Sequence, residues 1–313
     1  MQVFRHLPSK FQQPCALAIG NFDGMHLGHQ ALLKKLIQAA QALNLTSAVM
    51  TFEPHPREFF SPESAPVRLC SLREKLEHFA DAGVGRVYVC RFNRRFAKVS
   101  AEEFMQTILR GSLNAQAILV GEDFRFGAMR AGSIIDFLEA EFNLISLPQV
   151  DLASNGLTAT RVSSTRVRSA LAAGAFQEAA MLLGRSYSMS GKVVHGAKRG
   201  RQLGFPTANV HMRHERPALA GVYAVKLDGL PSVANLGVRP TIAGIPQLLL
   251  EVHVLDFNGD LYDKHVHVEF LHKIRDEMKF DGLDALKAQI VADVAVAREF
   301  FNADISASAG MPK

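Results

Sequence analysis

Hydrophobic and polar positions change their rhythm once along the chain. In the first half, short apolar runs alternate with amphipathic stretches. Residues 15–20 (CALAIG) read as a buried strand, and residues 29–43 as a helix with Leu32, Leu33, Leu36, Ile37 and Ala40 on one face. The runs at 47–52, 86–92, 115–121 and 144–150 predict four more strands. Ser71 with Glu74 and Ser100 with Glu103 have the spacing of capping boxes, which predicts a helix at 72–82 and another from about 101. Strand, helix, strand, helix predicts a mainly parallel, Rossmann-like sheet covered on both faces, an α/β architecture.

After a helical stretch at 164–182 the rhythm shortens. From about 187 to 272, β-rich runs separated by turn residues predict an antiparallel barrel or sandwich. A last helix at 283–302 carries Leu283, Leu286, Ile290 and Val294 at helical spacing, and the small-residue tail ADISASAG is expected to fray. The change of rhythm sets a domain boundary near Gly184, giving domains 1–184 and 185–313.

Composition narrows the class. Of 313 residues 48% are hydrophobic, enough for a sizeable core. No apolar run approaches the roughly 18 residues of a membrane span, and the N-terminus has no apolar secretory stretch. Three widely spaced cysteines predict neither a disulfide framework nor a zinc site, and fit a cytoplasmic setting. The net charge of +5 is spread evenly over both halves, which argues against a nucleic-acid groove.

Two stretches carry candidate chemistry. GNFDGMHLGH, residues 20–29, leaves the first predicted strand and enters the first helix. Ligands of open α/β sheets gather there, and a helix N-terminus attracts phosphate. Gly20, Gly24 and Gly28 let the backbone approach a ligand, and His26 and His29 can donate hydrogen bonds to phosphate oxygens. Two surface histidines on a loop would look the same in isolation; the strand before and the helix after favour the site. SSTRVR at 163–168 puts hydroxyls and arginines at another helix start.

In the second half, residues 191–209 (GKVVHGAKRGRQLGFPTAN) form a glycine-rich basic loop with Gly196, Lys198, Gly200 and Arg201. Such a loop can wrap phosphates through its N–H groups, although it is no Walker A sequence. Thr207 and Asn209 point the same way on an extended stretch, and both offer the oxygen ligands Mg²⁺ prefers. On the run at 250–257, Leu250, Val252 and Val254 share one face and leave Glu251 and His253 on the other. His253, His265 and His267 lack a further ligand at zinc spacing.

HxGH with a late SSTxxR resembles the nucleotidylyltransferase superfamily. With TFEPHP at 51–56, GEDFRFG at 121–127, GFPTAN, NLGVRPT at 235–241 and LEVHVLDF at 250–257, the chain from about 15 to 300 resembles the bacterial bifunctional riboflavin kinase/FMN adenylyltransferase (FAD synthetase) family. The resemblance implies an N-terminal adenylyltransferase domain and a C-terminal riboflavin kinase barrel ending in a helix. It implies that His26 and His29 engage ATP phosphates, that Asn21 and Asp23 shape their loop, and that Ser164, Thr165 and Arg168 hold the triphosphate. His55, Pro56, Asp123 and Phe126 would line the flavin side, although Phe126 reads equally as a core aromatic. In the kinase half, Thr207 and Asn209 would hold Mg²⁺ and ATP, Glu251 would be the base, and Arg275 is a weaker candidate for flavin or phosphate contact.

The expected substrates are riboflavin, FMN and ATP, with Mg²⁺; self-association stays open, and neither nucleic acid nor membrane is expected as a partner. Rival readings are a single-activity adenylyltransferase with a degenerate kinase module and a flavin-binding regulatory protein. Gly85, Ala220 and Asp263 stand where the family commonly has Asp, Pro and Gly.

Overall fold

The computed structural model describes residues 1–8, 11–152, 160–196, 204–212, 217–239 and 247–309. Lys198, Gly200 and Arg201 of the glycine-rich loop lie outside the described residues. The chain forms two compact units, one of residues 1–66 and 72–164, the other of 67–71 and 165–313.

The first unit contains β1 (Gln2–Phe4), β2 (Cys15–Ile19), α1 (Leu27–Ala42), β3 (Thr46–Glu53), α2 (Pro56–Phe60), α3 (Leu72–Asp81) and β4 (Arg86–Arg91). Then come α4 (Ala101–Glu103), running into a π-helical stretch Phe104–Ser112, β5 (Ala115–Gly121), α5 (Ile134–Glu139) and β6 (Asn143–Leu147), before a short ribbon of β7 (Asp151–Leu152) and β8 (Thr160–Arg161). Strand order is β1-β4-β3-β2-β5-β6, and all neighbours are parallel. The predicted parallel sheet is present. Edge strand β1 was not expected, because three half-exposed residues carry no period.

Every residue of β2 is buried. Its side chains alternate between two cores: Cys15, Leu17 and Ile19 face one with Phe104, Leu109 and Phe137, while Ala16 and Ala18 face the other with Leu33, Leu36 and Phe79. This two-sided burial explains why a central parallel strand reads as a continuous apolar run. Burial pushes the Cys15 and Cys90 thiols up to about 12, so both stay protonated. Gly85, where the family commonly has Asp, sits tightly: a Cβ there would lie 3.1 Å from the Ser47 carbonyl oxygen, and its N–H donates to Ser47 Oγ at 2.9 Å.

The second unit takes in α6 (Ser164–Ala172) from Thr165 onward, α7 (Phe176–Leu183), β9 (Tyr187–Val194), β10 (Ala208–His211), β11 (Gly221–Leu227), β12 (Leu230–Arg239), β13 (Gln247–Val254), β14 (His265–Arg275) and α8 (Leu283–Ala309). The predicted single helix at 164–182 is broken by Gly174, at φ +70°. Phe176 meets Tyr223 of the barrel edge-on at 5.7 Å, and this packing groups α7 with the second unit. The expected boundary near Gly184 lies beyond both helices.

The six strands form a closed antiparallel barrel in the order β10-β13-β12-β11-β14-β9, with β9 pairing back to β10. Closure leaves none of these strands as an open edge. Leu250, Val252, Val266, Val268, Phe270 and Met189 are fully or almost fully buried. α8 covers part of the outer face, where Ala297 and Phe301 pack on Val222, Ala224 and Val233. It continues through Ala309 into the tail that was expected to fray, which its alanines permit.

The remaining departures have local explanations. Asp263 adopts the left-handed conformation (φ +62°) where Gly is common, and its carboxylate pairs with Lys192 at 2.8 Å. Aspartate tolerates that region better than most residues. Ala220 accepts the Tyr223 hydroxyl on its carbonyl at 2.7 Å, a bond that needs no particular side chain.

Candidate functional site

In the first sheet the chain order runs β2, β3, β4 to one side and then resumes at β5 on the other side of β2. The crevice beyond the carboxyl ends of β2 and β5 is the topological switch point, where ligands of open α/β sheets bind. Ala18 pairs with Leu119, so Gly20 and Gly121 leave the sheet at the same level. GNFDGMHLGH and GEDFRFG, a hundred positions apart, therefore start side by side.

His26 is the N-cap of α1: its Nδ1 accepts from the His29 N–H at 3.3 Å. A neutral ring accepting at Nδ1 carries its proton on Nε2, which leaves that nitrogen as donor. The His26 and His29 rings stack with centroids 3.7 Å apart and planes 17° apart. Burial, then the neighbouring His26 and Lys75, hold the His29 pKa well below the usual 6.5, so its ring is neutral at neutral pH. A Cβ on Gly28 would crowd the His26 ring at 3.2 Å, which is why glycine serves there.

The loop is tight and anchored. Phe22, Gly24 and Met25 have positive φ, and Phe22 and Met25 are buried in the core beside α1. The Asn21 carbonyl accepts from Thr51 Oγ1 at 3.3 Å, and the buried Asp23 accepts on its carbonyl from Ser164 Oγ at 2.9 Å. Asn21 Oδ1 and His29 Nδ1 are buried with no hydrogen-bond partner among the described residues. Polar atoms in that state call for a ligand or water.

Each of the other expected residues has its own local contacts. His55 caps α2, its Nδ1 accepting from Arg57 N–H at 3.1 Å while its own N–H donates to Glu58 at 3.0 Å; Pro56 is the first residue of that helix. Asp123 is exposed and pairs with Arg161 at 3.1 Å. Phe126 is only 6% exposed and stacks on Phe137 at 4.4 Å, so its ring belongs to the core. Thr165 is exposed, and Arg168, in the second unit, donates from Nε to the Val67 carbonyl at 2.6 Å.

Sequence reasoning missed an aromatic cluster where β3 and β4 end. Phe52, Phe59, Phe60, Phe92 and Phe96 meet at 5.2–6.1 Å, with Phe60 64% exposed. An exposed aromatic on an aromatic base suits a flat ring ligand. The signal was present in the EFF of residues 58–60, but only the fold brings Phe92 beneath it.

The barrel carries a second constellation. Register places Asn209 opposite Glu251, Glu251 opposite Asn235, Asn235 opposite Val222 and Val222 opposite Arg275. Directly paired residues share a sheet face, so one row across five strands holds Asn209, Glu251, Asn235 and Arg275 on the outer surface. Thr207 lies two residues before Asn209. Gly196 sits so close to the Asn209 amide that any side chain would displace it. His253 Nδ1 and the Pro206 carbonyl oxygen lie 2.9 Å apart, which fixes GFPTAN to β13.

Arg275 has a clear occupation. Its Nε and one Nη form a fork to buried Asp293 of α8 at 2.7–3.1 Å, Gln289 donates to the same carboxylate at 2.9 Å, and the other Nη donates to the Asp276 carbonyl at 2.9 Å. The guanidinium that sequence reading offered to flavin or phosphate thus ties α8 to the barrel.

Comparisons with known proteins cover both halves of the chain. The family model described as FAD synthetase matches residues 8–166, and that described as riboflavin kinase matches 183–301. A bifunctional riboflavin kinase/FMN adenylyltransferase of Haemophilus influenzae is 45% identical over 96% of this chain and 100% of its own length. That of Escherichia coli K12 is 47% identical over 93% and 94%. A crystal structure from Streptococcus pneumoniae, described as a macrolide-efflux protein, superposes with a TM-score of 0.75 at 32% identity and covers 94% of this chain and 99% of that one. Among the described residues no helix is long and apolar enough to cross a membrane. With switch-point loop and barrel row each falling inside its own match, the chain belongs to the bifunctional riboflavin kinase/FMN adenylyltransferase family.

Proposed function

We infer that the chain makes FAD in two steps. The barrel unit phosphorylates riboflavin with ATP to give FMN; the parallel-sheet unit adenylylates FMN with a second ATP and releases pyrophosphate. The observation that carries this is the near full-length match at 45–47% identity, with both family models in the same order along the chain. Neither a flavin-binding regulator nor a single-activity enzyme gains support from any contact among the described residues. We place the division of labour at 1–184 and 185–313.

In the adenylyltransferase half, neutral His26 and His29 donate to ATP phosphate oxygens as charge moves toward the leaving pyrophosphate. Asn21, Asp23 and Gly28 shape the loop, and Ser164, Thr165 and Arg168 hold the triphosphate. The FMN phosphate is already an anion, so positioning replaces a base. His55, Pro56 and Asp123 border the flavin, Phe60 offers the exposed ring, and Phe126 supports that wall from the core.

In the kinase half the acceptor is a neutral hydroxyl. Glu251 takes its proton as the oxygen attacks the γ-phosphorus of ATP. Gly196, Lys198, Gly200 and Arg201 wrap the phosphates. The Thr207 hydroxyl and Asn209 amide, opposite the Glu251 carboxylate, are an all-oxygen set that suits Mg²⁺. Mg²⁺ held by Thr207 and Asn209 would neutralise charge on the ATP phosphates. Arg275 keeps its place as the anchor of β14 to α8. A cytoplasmic setting, with no nucleic-acid partner, fits small soluble substrates.

The test is a time course with riboflavin, ATP and Mg²⁺, the flavins being separated chromatographically. FMN is expected first and FAD after it. Folded protein that forms neither overturns the reading.

A further inference from the structure

Lys75 stands out among the charged groups of the first unit. Its residue is only 5% exposed, and it makes neither a hydrogen bond nor an ion pair among the described residues. Buried ammonium groups are ordinarily paired, because an isolated one forfeits its hydration without return. Most surface lysines on helices lie along the surface; this one is turned inward over most of its length.

Its position points to what it lacks. Lys75 lies on α3 one turn before Phe79, and residues four apart share a helix face. Phe79 meets Phe22 edge-on at 5.2 Å, and the Phe22 ring in turn lies 5.2 Å from His29. Leu72 and Leu76 pack into the same core as Phe22 and Met25. The buried face of α3 is thus set directly against the HxGH loop. Lys75 is close enough for its charge to help lower the His29 pKa. In the HxGH loop itself, Asn21 Oδ1 and His29 Nδ1 are buried with no hydrogen-bond partner among the described residues. A cation without an ion pair among the described residues, close to a buried imidazole with an unspent nitrogen, points to a counter-charge that arrives with a ligand.

We propose that Lys75 is a phosphate-binding residue of the adenylyltransferase site, its ammonium contacting the polyphosphate of ATP beside His26 and His29. This rests on the first unit's being that site. A compact ammonium on a flexible stem serves as a point charge for phosphate oxygens. The ion pair missing in the free protein forms with substrate, and binding energy is thereby concentrated on the group that becomes pyrophosphate. A neutral imidazole pair supplies donors but no formal charge, which is why a cation is needed next to it.

The test compares Lys75→Met and Lys75→Arg with the parent chain. Three readouts serve: FMN adenylylation at varied ATP and FMN, riboflavin phosphorylation, and melting without nucleotide. For Lys75→Met, kcat/KM for ATP should fall at least 50-fold, the KM for FMN should move less than threefold, and riboflavin phosphorylation should stay unchanged. Its melting temperature without nucleotide should hold or rise, since an unpaired buried charge has gone. Lys75→Arg should recover most of the ATP dependence. A Lys75→Met enzyme within threefold of the parent overturns the proposal. So does a several-degree loss of melting temperature with the Arg variant equally inactive, which marks a structural lysine. A parent chain that makes FMN but no FAD would instead remove the adenylyltransferase reading itself.

Discussion

The two units solve neighbouring problems with different materials. In the parallel-sheet unit the candidate groups sit on loops beyond strand ends, held by backbone contacts: a tight turn, a capping imidazole, a serine hydroxyl on the Asp23 carbonyl. In the barrel they stand on the strands themselves, in a row set by register. On the proposed assignment of the sites, the difference follows the nucleophile. A phosphate arrives charged and needs donors and positive charge around it; a hydroxyl arrives neutral and needs one carboxylate held rigidly. Strand faces hold single side chains well, while loops at a helix N-terminus gather N–H groups.

That contrast can be broken at its strongest point. Glu251→Gln keeps shape and removes the proposed base. FMN formation from riboflavin should fall on the order of 10³-fold, while conversion of supplied FMN to FAD stays within twofold. Parallel assays starting from riboflavin and from FMN decide it; equal loss in both would mean that the two chemistries are not separated.

The converse change is smaller. His29→Ala should slow FAD formation about 10²-fold, the size of losing one oxyanion-type donor, and leave FMN accumulating. Replacement of a general base would abolish the pH dependence of the step; loss of a neutral donor lowers the rate at every pH.

Acid sharpens the same distinction. The His29 pKa in the folded protein is depressed below 6.5. The unfolded chain therefore binds that proton first as pH falls. Stability from the neutral ring is complete above 6.5 and is lost as pH drops toward the folded value. Melting curves of the parent should weaken below 6.5 more than those of His29→Gln, and FAD formation should stay flat from pH 8 to about 6.5. The smallest effect belongs to a residue in neither site. Asp263→Gly removes an exposed pair with Lys192 but restores freedom at φ +62°, so melting should shift by no more than about 1 °C.

Much of this was legible in the chain. Alternating apolar runs foretold the parallel sheet, because β2 and β5 are buried on both faces and tolerate little else. The candidate groups were legible where chemistry and spacing coincide, as in HxGH and GFPTAN. What escaped depends on long-range packing. Asn209 and Glu251 are far apart in sequence, and only barrel register sets them opposite each other. The sequence leaves Phe126 open between flavin wall and core and offers Arg275 only as a weaker ligand candidate; stacking on Phe137 and a fork to Asp293 show what the ring and the guanidinium pack against. Lys75 looked like any helical lysine until α3 was seen to turn it inward. No local pattern distinguishes a lysine facing water from one turned inward.

The closed barrel has a consequence for redesign. Its bore is filled by Val252, Val268, Phe270 and their neighbours, while Glu251 and Asn209 stand on the outside wall. Interior and outer face alternate residue by residue along β13, so they can be mutated as separate alphabets. A library that repacks the even-numbered positions of that strand should trade thermostability first, whereas changes at Glu251 or His253 on the other face should trade FMN formation first.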